Sequence, residues 1–441
     1  MNELQHVPGT DGLPWFGETF AYLKDPFGWT TDHHKKYGPV FRANCFFQPA
    51  VTVAGAEFAE RFLLDKEQVF SSDLGWQPII GEFFHGGLML RDFDVHRLHR
   101  RIMQVAFKRD ALLGYLGIMR PILERAVQSV GSHVYPWVKQ ATLDAAAAIF
   151  LGLESAEDTR QVNQLFVEMM TAIVSPFRWD LPGTTYGRGL RARRTLRQWV
   201  LSLIPSRRNN RGRDMLSVLC NAMSEDGKQF SDDEIVDHLV FLLMAAHDTT
   251  TSALTTLIME LGLRPEWQAR VREQSLALGN APIDDAMLDK LDLVYDCFRE
   301  VLRLHPPVRS IPRRAMREVD LGGYRLPANT QVWLNVEGTH RDPNIWTDPD
   351  AFDPERFSEP RLEHKKHRFA WVPFGGGAHT CLGLQFSELQ VKTLMHLLLT
   401  RYEWKAEPSP MQYMPFIKPK NDLPLTLKPV QLASPAINQA V

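Results

Sequence analysis

The chain has 441 residues, 44% hydrophobic and 23% charged, and its 50 basic and 52 acidic residues leave a formal net charge of −2. That balance excludes a protein that holds nucleic acid by bulk charge. The four cysteines (Cys45, Cys220, Cys297 and Cys381) are scattered and include no C-x-x-C pair. This argues against a zinc site or a disulfide framework, and for a reducing, cytoplasmic setting.

From Met1 to Trp15 the chain is polar and rich in proline and glycine, without a signal-peptide core. No run of about 18 apolar residues occurs, so no transmembrane anchor is expected. Short strand-like runs lie between Val40 and Val53, and helical patterns dominate from His96 to Arg303. Gly187–Arg194 is the densest basic run. Its default reading is a solvated helix face, with contact to a membrane surface or acidic lipid as the alternative. Ser231, followed three residues later by Glu234, predicts a capping box. The apolar stretch from Ile235 onward predicts a long buried helix ending near Pro265. A second helix is predicted over Asp292–Leu304, stopped by Pro306 and Pro307. Strand character returns between Tyr324 and Asn335, and residues 433–441 read as a loose tail. With no long linker, residues 1–432 are expected to form one mainly α catalytic domain with a smaller β-rich part.

Three local patterns carry chemistry. Inside the long helix, Asp248 and Thr249 place an acid and a hydroxyl in apolar surroundings, a costly choice without hydrogen-bond partners. Thr249 is expected to bond the carbonyl one turn back and bend the helix, opening space for water or oxygen. Asp248 is positioned to relay protons. Glu300 and Arg303 share a helix face. The third pattern is Phe374-Gly375-Gly376-Gly377-Ala378-His379-Thr380-Cys381-Leu382-Gly383. Its glycines let the chain fold tightly around one thiol, and the N–H groups opening the next helix would stabilise a thiolate. A thiolate so placed suits an axial iron ligand. A buried structural cysteine is the plainer alternative.

This decapeptide resembles the haem-binding signature of the cytochrome P450 family, F-x-x-G-x-[RH]-x-C-x-G, at every specified position. Ala245-Ala246-His247-Asp248-Thr249 is similar to the family's [AG]-G-x-[DE]-T, with Ala246 where glycine is usual, so a methyl would narrow the oxygen groove. Asp353-Pro354-Glu355-Arg356-Phe357 resembles its P-E-R-F segment, which implies that Arg356 joins Glu300 and Arg303 in a buried network. The resemblance spans roughly Val7 to Leu427 and implies the cytochrome P450 fold, with haem b held by Cys381 as iron ligand and Phe374 and Gly383 in the same loop. It implies that His96, Arg100, Arg313 and His379 meet the haem propionates, with Arg314 as a substitute for Arg313. Asp248 and Thr249 would be catalytic.

The implied activity is an O2-dependent monooxygenase that hydroxylates a lipophilic small molecule. No dinucleotide fingerprint is present, so electrons would come from a separate ferredoxin and its NAD(P)H-dependent reductase. The basic cluster Lys365-Lys366-His367-Arg368 is either a ferredoxin docking surface or an ordinary charged loop. Stretches such as Pro8–Thr19 and Leu181–Thr184 look like the retinoic-acid-hydroxylating branch, with sterol demethylases as neighbours; the substrate is accordingly retinoid-, terpenoid- or sterol-like. Family position puts Trp76, Ile79, Ile80, Phe83, Phe84, Leu88, Met170, Met244, Val308, Ile311 and Phe416 around the pocket. Arg309 would meet a substrate carboxylate or stand exposed. The alternatives are a peroxide-driven peroxygenase and a non-catalytic haem-thiolate lipid-binding or sensor protein.

Overall fold

The computed structural model describes residues 2–175, 177–208, 212–224, 226–279 and 283–430. The expected loose tail at 433–441 lies outside them. Strand β1 (Gly9–Thr10) and helices α1 (Thr19–Lys24) and α2 (Pro26–Tyr37) lead into a hairpin of β2 (Val40–Cys45) and β3 (Gln48–Val53). After α3 (Ala56–Leu64) comes the short β4 (Phe70–Ser71), and then an unbroken helical series. The series comprises α4 (Ser72–Phe84), α5 (Phe93–Gln104), α6 (Arg109–Gln128), α7 (Val134–Leu151), α8 (Ala156–Ile173), α9 (Thr185–Arg207), α10 (Met215–Asn221), α11 (Asp232–Leu263), α12 (Pro265–Ala277), α13 (Asp285–Leu288) and α14 (Asp292–Leu304). Strands β5 (Ser310–Ala315), β6 (Val319–Leu321), β7 (Tyr324–Leu326) and β8 (Gln331–Asn335) follow, then α15 (Val336–Thr339) and α16 (Leu384–Leu399). The fold is mainly α with a smaller β part, as expected.

The principal sheet has strand order β1-β2-β3-β8-β5-β4. Its register pairs Val51 with Val332 and Ile311 with Leu334, so their side chains build one apolar core with α3. The expected strand at Tyr324–Asn335 is two strands, parted where Pro327 lacks a donor and Asn329 turns at φ 66°. Pro312 hides β5 from a sequence reading, because proline cannot donate to a ladder. It is tolerated because β4 pairs only with Arg314 and Ala315, leaving Pro312 beyond the paired stretch.

Helix α11 forms where its cap predicts. Glu234 N–H donates to Ser231 Oγ at 3.3 Å, and Ser231 N–H donates to Glu234 Oε2 at 2.9 Å. Both bonds satisfy donors that a helix start otherwise leaves free. The helix stops at Leu263 because the residue before proline disfavours helical geometry, and Arg264 adopts φ −128°, ψ 84°. From His238 to Gly262 almost every side chain of α11 is buried in the larger, mainly helical core, to which α6, α7, α9, α14 and α16 contribute. Among the described residues no helix is long and apolar enough to cross a membrane.

Candidate active site

The Cys381 loop is folded by its glycines. Gly375 and Gly377 take φ 69° and 63°, conformations that L side chains resist. A Cβ on Gly377 would lie 2.1 Å from the Leu63 carbonyl oxygen, and one on Gly376 2.9 Å from Phe369, so the loop is pressed against α3 with no room for a methyl. Cys381 N–H donates to Phe374 O at 2.9 Å, closing the turn just before α16 begins at Leu384. Cys381 is a free cysteine with accessible surface, although protein atoms crowd round its thiol. Burial pushes its thiol pKa up, while the Gly383 N–H and the Arg100 guanidinium pull it down.

Behind the loop stands a closed charge network. Arg303 donates to both oxygens of Glu300, at 2.7 and 2.8 Å, and Arg356 Nε donates to Glu300 Oε1 at 3.0 Å. All three side chains are 0% exposed. Their remaining donors reach the carbonyls of His340, Pro349, Thr347 and Ala351. Two members escaped the sequence reading. Glu363 accepts from Arg356 Nη1 at 2.8 Å; although burial opposes its charge, bonds from Arg361, Thr347 and Arg356 hold its carboxyl at about 2. His340 joins the network to the loop: Nε2 accepts the Val372 N–H at 2.8 Å, which leaves Nδ1 to donate to Arg303 O at 3.2 Å. Burial, then the charge of Arg303, pushes His340 down to about 3, so it is neutral. Neither residue stands in a spacing pattern that could have flagged it.

On the other side of the loop the predicted basic residues meet. The His96 and His379 rings stack with centroids 3.8 Å apart. Burial and the nearby arginines push them down to about 4 and about 2, so both are neutral. Arg313 is buried, and among the described residues its guanidinium bonds only the Pro312 carbonyl; burial lowers it to about 10. Neither Arg313 nor Arg100 has a carboxylate within 4.0 Å among the described residues. Asp92 and Asp65 act on Arg313 only from a distance and Arg100 is partly buried, so both keep guanidinium donors open to an acidic ligand. The two propionates of a haem would suit those donors. Arg314 does not substitute for Arg313: one position along the strand, it points the other way and bonds Gln331.

Helix α11 carries the acid–hydroxyl pair. Between His238 and Gly262 only Ala245, Ala246 and Thr249 are not buried, and their spacing puts them on one face. Thr249 Oγ1 donates to Ala245 O at 2.7 Å, the back-bond its position predicts. Asp248 is buried beside them, with its Oδ1 3.2 Å from His247 Nδ1 and 4.0 Å from Lys139 Nζ on α7.

The expected pocket residues divide. Trp76, Ile79, Met170, Val308 and Phe416 are partly open. Phe83 turns instead to α9, its ring set edge-on to Tyr186 at 5.5 Å and facing Gly189. Arg309 follows neither expectation: Glu337 accepts its Nε at 2.6 Å, and its guanidinium lies 4.6 Å from the Tyr413 ring centroid. A carboxylate of the protein's own already neutralises it. The surface clefts beside α3 and α12 lie apart from all these groups.

Comparison with known proteins agrees with this geometry. The cytochrome P450 family model matches residues 7–433. A putative cytochrome P450 136 of Mycobacterium tuberculosis is 40% identical over 436 residues, covering 94% of this chain and 88% of the relative. A putative cytochrome P450 120 of Synechocystis is 32% identical, covering 97% and 98%. The solved structure of retinoic acid bound cyanobacterial CYP120A1 superposes with a TM-score of 0.85 at 28% identity, covering 96% of this chain and 99% of that one. This chain is a member of the cytochrome P450 family and a monooxygenase of it.

Proposed function

We propose that this monooxygenase hydroxylates a C–H bond of a retinoid-, terpenoid- or sterol-like molecule inside the cell, with residues 1–432 as one catalytic domain and electrons from a separate ferredoxin. The incomplete burial of Ala245, Ala246 and Thr249 within the otherwise buried stretch from His238 to Gly262 carries this reading, because it leaves one face of α11 open beside the acid–hydroxyl pair. Haem, when bound, supplies the iron at which O2 is activated.

The chain's own residues do the rest. Cys381 would be the iron ligand, in the loop from Phe374 to Gly383 whose Gly383 N–H points at its sulfur. His96, Arg100, Arg313 and His379 would hold the propionates; the two arginines would supply charge and the two neutral imidazoles hydrogen bonds. Thr249 donates its proton to Ala245 O, which leaves its lone pairs to accept from a water on the same face. Asp248 passes protons to that water. The methyl of Ala246 narrows the space on the same face. The retained acid–hydroxyl pair favours this reading over a peroxygenase or a sensor. Trp76, Ile79, Met170, Val308 and Phe416 give the ligand an apolar wall. With Arg309 bound to Glu337, a carboxylate-bearing substrate gains no free cation there. The similar cyanobacterial structure holds retinoic acid, which makes a retinoid the first ligand to try. Lys365 and Arg368, exposed beside the loop, suit an acidic ferredoxin.

The test is a titration of the ferric protein with all-trans-retinoic acid, a sterol and a long-chain fatty acid, read at the Soret band. A low-to-high-spin shift with retinoic acid or the sterol supports the substrate class. A shift with the fatty acid alone, or with none, overturns it.

A further inference from the structure

Val308 and Phe416 stand partly open, and what holds them comes from four distant segments of the chain. Met411–Gln412 and Lys418–Pro419 pair as a short antiparallel hairpin whose tip runs from Tyr413 to Ile417. Two residue pairs hold its strands, too few to fix a five-residue tip. On the inner side the tip is tied to α11. Ser252, buried and three residues past Thr249, donates its Oγ proton to Ile417 O at 2.6 Å. Phe416 sits next to that tie, and the outer end of the tip at Tyr413 needs a second one.

The second tie is a closed circuit of five side chains. Arg309, just before β5, donates from Nε to Glu337 Oε2 at 2.6 Å, and Glu337 Oε1 lies 3.3 Å from Arg341 Nη1. The Arg341 guanidinium lies 4.8 Å from the ring centroid of Phe27, at the start of α2. Phe27 stacks on Tyr413 at 6.2 Å with the planes 14° apart, and Tyr413 covers the Arg309 guanidinium at 4.6 Å, which closes the circuit. Glu337 is 4% exposed and serves two arginines at once. Asp350 also reaches Arg341, but from a side chain 83% exposed, a contact worth little. The ring faces of Tyr413 and Phe27 therefore carry part of the charge balance, which makes them more than filler.

We infer that Tyr413 and Arg309 are positioning residues for the ligand, acting through their neighbours. Tyr413 fixes the hairpin tip and with it Phe416. Arg309 fixes Val308, and its carbonyl accepts the Val336 N–H at 2.9 Å, so the start of β5 and α15 are joined by backbone as well as by the Glu337 pair. The circuit thus sets two apolar walls from outside, and a wall held in place before the ligand arrives binds more tightly than one that must be ordered on binding. This inference rests on the reading of Val308 and Phe416 as pocket wall, and adds what holds them there.

The test titrates the haem-loaded protein with two iron-binding probes, read at the Soret band. Imidazole is small and touches little beyond the iron; clotrimazole is an imidazole carrying three aryl rings. Tyr413→Leu should weaken clotrimazole about fivefold and leave imidazole unchanged. Tyr413→Phe keeps the ring and should bind both probes like the parent. Phe416→Ala should weaken clotrimazole about tenfold by itself. Adding Tyr413→Leu to it should cost nothing more, because both act through one wall. Unchanged melting curves and carbon monoxide spectra would show the variants intact. The inference fails if Tyr413→Leu binds clotrimazole like the parent, if it weakens both probes alike, if Tyr413→Phe is as weak as Tyr413→Leu, or if the losses at 413 and 416 add in full. Parent-like clotrimazole binding by Phe416→Ala would instead overturn the pocket-wall reading, and this inference with it. A loss at Phe416 with none at Tyr413 overturns the inference alone.

Discussion

The two sides of this molecule are built on opposite principles. Around the Cys381 loop, Glu300, Arg303 and Arg356 are fully buried and bonded to one another and to carbonyls of the segments they brace, and a single methyl at Gly377 has nowhere to go. Around the α8–α9 loop, apolar rings stand in solvent, and at Gly183 an added Cβ would meet nothing within 4 Å. The difference follows from what each side must do. A metal ligand has to be held in one geometry, so its support is closed and over-determined. The exposed loop is under no such constraint, and fewer contacts stand behind it.

The heaviest blow to the closed side is Cys381→Ser. It should abolish the thiolate-type spectrum of the reduced carbon monoxide complex and all turnover; an unchanged spectrum would remove the ligand assignment. Arg356→Ala should cost about 3 to 5 kcal/mol, because Glu300 and Glu363 would lose a buried partner. Chemical denaturation measures this, and a loss below about 1 kcal/mol would mean the network is not a structural brace.

The contrast sharpens with two glycines that both take positive φ. Gly377→Ala should destabilise by several-fold more than Gly183→Ala, since only the first forces a Cβ into a carbonyl oxygen. The Gly183 variant should lose only the backbone strain, about 1 kcal/mol. Equal losses in thermal melts would mean that packing does not distinguish the two sides.

Acid should act on the closed side next. His340 titrates at about 3 in the folded chain, against about 6.5 when unfolded. The unfolded state binds the proton first, so stability is complete above about pH 6.5 and falls as the pH drops toward 3. By pH 5 this residue alone should remove about 2 kcal/mol. Denaturation midpoints across that range should show the slope, and His340→Gln should flatten it. The mildest effect belongs to Thr249→Ala. It should leave the spectrum and stability nearly intact but lower the yield of product per O2 consumed; unchanged coupling would take Thr249 out of proton delivery.

The parts legible in the sequence are those whose physics is local. The capping box at Ser231 and Glu234, the stop before Pro265 and the glycine loop around Cys381 each depend on residues a few positions apart, so the order of amino acids determines them. Thr249 needs only the carbonyl one turn back. The tertiary structure alone decided which cations face the cleft. Arg313 and Arg314 are adjacent and chemically alike, and only the pleat of β5 turns one inward. Glu337 reached Arg309 through the pairing of β5 with β8, which no short-range pattern reveals. His340 bridges residues 37 positions before it and 32 after it, and Glu363 completes a network begun at Glu300. Sequence spacing encodes local bonds because the chain itself sets their length; contacts between distant segments exist only once burial has brought the segments together.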